Sequence, residues 1–234
     1  VSFAFNKSTY YKRCNIISNP KAGQVGQRPI VLWTKREKMK IENLKKILKV
    51  FLTLQWAKEL PRQGFIAMGF KRNEADSVAA HSFSTALLAY FLAKQLKKEG
   101  EKIDPEKVLK MGLVHDIGET IVGDVGTFVK GMAGGVFKNI EEEGVKALVE
   151  GLDFKDEIIV LVSEYNGRKT LEARVVKAAD NLDALAQAKG VPGAADALKY
   201  FKEVYHITKF NWHKVAVDLI LSGEVESARD WQHK

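Results

Sequence analysis

The amino-acid sequence predicts an all-α protein. From Ile41 onward apolar residues recur at spacings of three and four, as on one face of a helix. Capping residues and glycines bracket these periodic stretches, and the Val/Ile/Thr alternation typical of strands is nearly absent. The chain has 234 residues and is 46% hydrophobic, enough for one sizeable core. No apolar run approaches the roughly 20 residues of a membrane-spanning helix, so we expect no membrane association.

The first predicted helix carries a single apolar stripe. We expect this stripe to be buried, and it comprises Ile41, Leu44, Ile47, Leu48, Phe51 and Leu52. The helix should end at Pro61, because proline cannot continue a helix. A second helix is predicted from Asp76 or Ser77 to Glu99, with Gly100 as its C-terminal cap.

The third predicted helix leads to a charged segment. Asp104 is its N-cap and Pro105 lies in its first turn, where the missing N–H costs nothing. It runs into "LVHDIGETIVGD" (residues 113–124), which is followed by the glycine-rich segment "GDVGTFVKGMAGG", predicted to be a loop that serves either as a lid or only as tight turns. Further helices are expected around 138–151, 155–166, 170–189, 193–206 and 211–222.

The net charge of +8 is concentrated at the N-terminus. Residues 1–38 contain eight Lys or Arg and one Glu, a charge of +7, so the remaining residues contribute only +1. Nucleic acid is therefore not expected as a partner, except through this basic arm. We predict that 1–38 is disordered or not part of the natural protein, which would begin at Met39, and that 39–234 is the functional domain. The only cysteine is Cys14, which suits a reducing compartment and hence the cytoplasm.

Four polar residues stand inside helices that otherwise look buried: His81, His115, Asp116 and Asp180. Each alone has an ordinary interpretation, as a hydrogen-bonded core residue or a surface residue. Two imidazoles and two carboxylates from three helices would offset the cost of each other's burial by sharing a divalent cation. As a set, they therefore indicate a metal site.

Four segments resemble one known family. "LPRQGF", "ADSVAAHS", "LVHDIGETIVGD" and "TLEARVVKAADNLDAL" are similar to segments of the HD-domain metal-dependent phosphohydrolases, in particular the 5'-deoxynucleotidase branch, over about residues 44–205. The resemblance implies an HD-domain helical bundle with a metal site between helices. It also implies that the metal ligands are His81, His115, Asp116 and Asp180.

The same resemblance points to three further site residues. The family's two acids after the His-Asp pair fall on Glu119 and Asp124, and its phosphate-contacting arginine falls on Arg62. Glu119 would share a helix face with His115 if the helix persists that far. The alternatives are solvated acids at a helix end and a surface arginine. Lys177, one turn before Asp180, either neutralises phosphate or is a solvated edge residue.

The histidine content indicates how many ions the site holds. Binuclear members of the family need further histidines, and none lies between His115 and His206, so we expect one divalent ion: Mn, Co, Fe, Ni, Zn or Mg. We expect hydrolysis of nucleoside, in particular deoxynucleoside, 5'-monophosphates by a metal-activated water. Asp124 would orient the water and Glu119 would protonate the leaving oxygen, or the reverse. An alarmone hydrolase and a catalytically silent nucleotide sensor are the alternatives. Members of this branch form dimers, which implies a homodimer.

Overall fold

The computed structural model describes residues 35–191, 193–203, 206 and 208–225. These residues are helical and contain no strand apart from an isolated bridge between Pro61 and Ser77, which confirms the all-α prediction. Of the basic arm, residues 1–34 lie outside the described residues, and its last four residues already belong to the first helix. The chain divides into two compact units, Val1–Leu44 and Lys45–Lys234.

Helices follow one another with short connections. In chain order they are α1 (Lys35–Leu54), α2 (Gln63–Ala67), α3 (Val78–Lys98), α4 (Pro105–Val114), α5 (Glu119–Val122), α6 (Thr127–Ala133), α7 (Gly135–Val149), α8 (Lys155–Gly167), α9 (Leu171–Lys189), α10 (Ala195–Glu203) and α11 (Asn211–Ser222). A short 3-10 helix, Gln55–Lys58, follows α1. Among the described residues, no helix combines the length and apolar character needed to span a bilayer.

Side-chain caps fix where the helices around the site begin. The Ser77 hydroxyl accepts a hydrogen bond from the third residue beyond it and starts α3, and the Thr170 hydroxyl starts α9 in the same way. The Asp104 carboxylate accepts two backbone hydrogen bonds at the start of α4. Each cap satisfies N–H groups that have no partner inside the helix. The predicted beginnings of the second and third helices are therefore confirmed.

The first helix differs from its prediction. Ile47, Leu48, Phe51 and Leu52 are 44–63% exposed, so the expectation of a buried stripe is wrong. The helix instead buries Val50, which packs in a cluster with residues of α7 and the turn after it. Helical periodicity identifies the side chains that share a face, but it does not reveal whether another element covers that face. The α-helix also ends at Leu54, before the predicted stop at Pro61.

The glycine-rich segment is not a simple loop. It contains α6, and Gly134, with a φ of +56°, separates α6 from α7. The glycines mark the two ends of the short helix, because the residues between them can adopt helical backbone angles while Gly134 takes a left-handed angle. The prediction of a loop across this segment is therefore wrong.

The core is built around α9. This helix packs against α3, α4, α8, α10 and α11, and its buried side chains are mainly alanine and valine. Next to it, α3 and α4 approach so closely that a Cβ on Gly112 would lie 2.7 Å from the Cα of Ala86. Close packing of this kind leaves no room for larger side chains. It brings α3, the end of α4 and the middle of α9 to one place.

His213 attaches the last helix to this core. It is fully buried on α11, and its Nδ1 lies 2.7 Å from the hydroxyl oxygen of Thr208. The backbone carbonyl of Thr208 accepts two hydrogen bonds from Arg174 of α9. Burial, together with the charge of Lys177, lowers the pKa of His213 to about 4. His213 is therefore neutral in the folded protein at neutral pH.

We predict that mild acid destabilises the fold through His213. An unfolded histidine has a pKa of about 6.5, so between pH 6.5 and 4 the unfolded state binds a proton that the folded state does not. The stability that neutral His213 contributes is fully present above pH 6.5 and falls by about 2 kcal/mol between pH 7.5 and pH 5. In urea unfolding, the change in stability from pH 7.5 to pH 5 should therefore be about 2 kcal/mol less favourable for the wild type than for His213→Gln. His206→Gln, at an exposed histidine, is the control. Equal pH dependence of wild type and His213→Gln would contradict the prediction.

Candidate active site

The four residues expected to bind metal converge in the folded chain. His81 comes from α3, His115 and Asp116 directly follow α4, and Asp180 lies in the middle of α9. Nε2 of His115 is 3.1 Å from Oδ2 of Asp116, and Nε2 of His81 is 3.3 Å from Oδ1 of Asp180. One atom each of His81, His115 and Asp116 lie within 4.8 Å of one another. The helices thus bring together residues as far as 99 positions apart in sequence.

Both histidines present a nitrogen without a hydrogen-bond partner. Nε2 of His81 and Nε2 of His115 are buried, and neither forms a hydrogen bond with any of the described residues. A buried polar atom left unpaired costs free energy, so it needs an explanation. Imidazole nitrogens beside carboxylate oxygens are a donor set that divalent transition metals accept. The residues at this position therefore fit a divalent cation.

The opposite nitrogen of each imidazole is held by an acceptor. Nδ1 of His115 donates to the backbone oxygen of Gly112 at 2.7 Å. Nδ1 of His81 lies 2.6 Å from Oδ2 of Asp183. Since a carbonyl or carboxylate oxygen can only accept, we assign a proton to Nδ1 in both rings, so Nε2 is the nitrogen available to the site. Both rings thus direct Nε2 towards the shared position.

Asp180 is oriented in the same manner. Its Oδ2 accepts hydrogen bonds from the hydroxyl of Tyr165 at 2.7 Å and from Nζ of Lys177 at 2.6 Å. Its Oδ1 faces Nε2 of His81. Burial opposes ionisation, but Lys177 and His81 outweigh it and hold the pKa of Asp180 well below its ordinary value. Asp180 is therefore an ionised carboxylate with one oxygen directed at the site.

Protons and cations compete for His81. Burial and the charge of Arg62 lower the pKa of His81, but the carboxylates of Asp180 and Asp183 outweigh them and raise it to about 9. Burial opposes the ionisation of Asp116 as well, but the neighbouring His115 outweighs it and holds the pKa of Asp116 well below its ordinary value. The site therefore attracts positive charge, and a metal ligated by His81 would replace a proton.

Glu119 lies close to this group, although the helix does not persist to it. Helix α4 ends at Val114, the following turns have backbone hydrogen bonds that span three residues, and Glu119 opens α5. Its carboxyl group is buried and 3.1 Å from Nζ of Lys130. Burial, then the charges of Asp116 and Asp124, raise the pKa of Glu119 well above its ordinary value, while Lys130 opposes this. The alternative of a solvated helix-end acid is wrong for Glu119.

Arg62 and Asp124 flank the same position. The Arg62 side chain is only 18% exposed, and its guanidinium nitrogens lie 4.0 Å from oxygens of Asp180 and Asp183, so the surface alternative is wrong. Its backbone N–H donates to the backbone carbonyl oxygen of Asp76, and this hydrogen bond fixes the loop beside α3. Oδ2 of the half-buried Asp124 accepts a hydrogen bond from the backbone N–H of Gln63.

One cavity of about 460 Å³ is lined by Arg62, His115, Asp116, Glu119, Asp124 and Asp180. Acidic residues of the site lie on its wall, together with five cationic side chains: Arg62, Lys130, Lys138, Arg168 and Lys177. The volume is in the range of small-molecule sites. Arginine and lysine side chains beside a candidate metal position suit a ligand that carries phosphate. Phe65, the aromatic residue nearest to Arg62 in sequence, is 1% exposed and packs beneath the guanidinium, so it supports Arg62.

The sequence profile of the HD domain matches residues 55–218, which is more than half of the chain and includes every residue of the candidate site. The chain belongs to the HD-domain family. The expected helical bundle of this family is thus confirmed.

Known proteins similar to this HD-domain chain include enzymes and solved structures. The 5'-deoxynucleotidase HDDC2 of Dictyostelium discoideum is 33% identical over 135 residues, which cover 56% of this chain and 70% of that protein. The human 5'-deoxynucleotidase HDDC2 is 28% identical over 177 residues, covering 72% and 80%. A solved protein from Pyrococcus horikoshii OT3 is 30% identical with a TM-score of 0.61, covering 76% of this chain and 96% of that one. A predicted metal-dependent phosphohydrolase from Magnetospirillum magnetotacticum MS-1, 21% identical with a TM-score of 0.54, shares the fold and covers 80% and 97%.

Several residues of this HD-domain site were not identified from the sequence. Asp183 follows Asp180 by three positions, so the helical spacing was a usable signal. Tyr165 on α8 and Lys130 on α6 reach the site from other elements, and no local pattern marks them.

Lys177 is not a solvated edge residue, because its side chain is 17% exposed and bonded to Asp180.

Proposed function

We propose that this HD-domain protein is a metal-dependent phosphohydrolase that removes phosphate from nucleoside 5'-monophosphates, with deoxynucleosides preferred. The observation that carries the proposal is the pair of buried Nε2 atoms of His81 and His115, which face the carboxylates of Asp180 and Asp116 beside a cavity lined by cationic side chains. The 5'-deoxynucleotidase names of the relatives support the choice of substrate class.

The ligands of one divalent ion would be Nε2 of His81, Nε2 of His115, and carboxylate oxygens of Asp116 and Asp180. Nitrogen and oxygen donors together suit Mn, Co, Fe, Ni, Zn or Mg, and metal availability decides among them. When bound, such an ion lowers the pKa of a water molecule and polarises a phosphoryl oxygen. A single ion is proposed because the sequence has no histidine between His115 and His206.

Two carboxyl groups would carry the proton transfers. Burial and neighbouring acids raise the pKa of Glu119 well above its ordinary value and so favour its protonated form, which makes it the proposed donor to the departing 5'-oxygen. Asp124, fixed by the Gln63 N–H, would orient the attacking water and accept its proton. The water oxygen bonds to phosphorus as the bond between phosphorus and the 5'-oxygen breaks. The products are a nucleoside and inorganic phosphate.

The phosphate would be held by Arg62. Its contacts with Asp180 and Asp183 are 4.0 Å, longer than hydrogen bonds, and one terminal nitrogen contacts Nδ1 of His81, so its other N–H groups would pair with phosphate oxygens. Lys130 and Lys177 line the same cavity and add positive charge. A catalytically silent sensor is the less favoured alternative, because it would have no use for a buried acid whose pKa is raised.

The domain responsible for this activity is proposed to be residues 39–234. The family profile begins at residue 55, well after the basic arm. A cytoplasmic location is proposed from the single cysteine, which suits a reducing compartment, and cell fractionation would test it. The near-neutral charge of residues 39–234 also argues against nucleic acid as the partner of this domain.

We predict that metal-stripped protein recovers phosphate release from nucleoside 5'-monophosphates when Mn, Co, Mg or Zn is added back. The panel contains ribo- and deoxyribonucleoside 5'-monophosphates, the 3'-isomers and a pyrophosphate-bearing alarmone, with released phosphate as the readout. His115→Ala should lose activity, because it removes one proposed ligand. A chain that begins at Met39 should match the full chain.

Three other results would point elsewhere. Release of pyrophosphate from the alarmone alone would favour the other mononuclear reaction. Nucleotides that raise the melting temperature without being hydrolysed would favour the sensor. Activity of the wild type that survives unchanged in His115→Ala would contradict the proposed metal site.

We predict that Glu119→Gln lowers kcat by about 10²- to 10⁴-fold, the usual contribution of a general acid. A donor must carry its proton, so wild-type kcat should fall as pH rises through the pKa of Glu119. The glutamine variant should lack this decline. Steady-state kinetics between pH 5 and 10 would check both points.

The control is Glu143→Gln, the same chemical change at a side chain that is 71% exposed. It should leave kcat and its pH profile unchanged. A Glu119→Gln variant that is folded and retains the wild-type kcat would remove Glu119 from the mechanism.

We propose that the protein is a homodimer through the exposed face of α1. Ile47, Leu48, Phe51 and Leu52, with Trp56 just beyond, are 44–68% exposed and form a contiguous apolar surface of a kind that often marks an interface. Light scattering should give about twice the 26.2 kDa chain mass for the wild type. Leu48→Glu combined with Phe51→Glu should shift it to the monomer mass. A monomeric wild type would contradict the proposal.

A further inference from the structure

Asp183 is a half-buried residue whose carboxylate lies beside Nδ1 of His81, the ring nitrogen that does not face the proposed metal. It lies on α9, one helical turn after Asp180, and its Oδ2 is 2.6 Å from Nδ1 of His81. The hydroxyl oxygen of Thr85 is farther from the same nitrogen, at 3.4 Å, so Asp183 is the preferred acceptor. A single turn of α9 thus carries two carboxylates that face the two nitrogens of one imidazole.

We propose that Asp183 is the positioning residue of His81, which fixes its tautomer and ring orientation so that Nε2 is the metal-binding atom. The proposal rests on the metal site of the proposed function. A carboxylate that accepts a hydrogen bond from Nδ1–H keeps that proton on Nδ1, so Nε2 is the atom that binds a metal, and it makes Nε2 a stronger electron-pair donor. Among the residues that the structure describes, the acceptor in the corresponding place on His115 is the Gly112 carbonyl, so the two histidines are supported by different acceptors.

A second metal site is the competing explanation for Asp183. Asp76, His81 and Asp183 also bring possible ligand atoms within 4.8 Å of one another. The guanidinium of Arg62, however, contacts Nδ1 of His81 and lies 4.0 Å from Oδ2 of Asp183. The guanidinium thus already contacts Nδ1, the nitrogen nearest to Asp183, so a second cation would have to displace a permanent positive charge. Asp183 therefore acts through His81.

Asp183 also affects the position of Arg62. An arginine nitrogen and a protonated Nδ1 are both donors, so they cannot bond to each other. The negative charge of Asp183 lies beside both groups and offsets their repulsion. One carboxylate thereby keeps the proposed metal ligand, His81, and the proposed phosphate-binding residue, Arg62, next to each other. This coupling distinguishes Asp183 from a residue that only fills space.

The test is the affinity of the full chain for Mn²⁺ alone, measured by titration calorimetry and repeated with Co²⁺. Asp183→Asn keeps the side-chain shape but removes the charge, and Asp183→Ala removes the acceptor as well. Both should weaken binding by about 10- to 100-fold, as loss of such an outer partner does. Asp218→Asn and Asp218→Ala make the same changes at an exposed position on α11 and should bind as the wild type does.

His115→Ala serves as the reference for a lost ligand, and circular dichroism confirms folding of each variant. If Asp183→Asn is folded and binds Mn²⁺ with wild-type affinity, Asp183 has only a packing role and the proposal is overturned. If the wild type binds neither ion, or His115→Ala binds as tightly as the wild type, the metal site itself fails and the proposed function fails with it. If Asp183→Ala does not fold, the Mn²⁺ affinity of Asp183→Asn compared with that of the wild type decides whether Asp183 positions His81.

Discussion

The burial of Asp180 in the middle of α9 is the constraint on which the rest of the site depends. An ionised carboxylate in the most enclosed helix of the fold is costly unless it is paired. Tyr165 and Lys177 pair with one of its oxygens, and the other faces His81. The neighbouring helices thus supply the hydrogen bonds and charges that stabilise an ionised group in the core.

Small side chains make this arrangement possible. Alanines on α3 and α9 and Gly112 on α4 let three helix backbones approach closely, so that short polar side chains can meet. Larger core residues would separate the helices, and the two imidazoles would then lie too far apart for one ion. The packing of the core and the chemistry of the site therefore impose the same requirement on helix spacing.

The fold and the convergence of the metal-site residues were predictable from local sequence, but their surroundings were not. Caps at Ser77 and Asp104 and apolar periodicity locate helices, because these signals act over a few residues. The exposed stripe of α1 and the contact of Lys130 with Glu119 depend on which distant element covers a given face. The short helix α6 was missed because flanking glycines dominate its local pattern. Asp183 had a spacing signal, but its partner lies 102 positions away.

Gly112 has two roles. Its missing side chain permits contact with α3, and its backbone carbonyl oxygen orients His115. Mutational tolerance at this position is therefore expected to be low, because a side chain would push α4 away from α3 and move that carbonyl. An engineer who wished to widen the cavity by moving α4 would also turn His115. Redesign of substrate size is better directed at α6 and α7, whose side chains border the cavity while their backbones support none of the four converging residues.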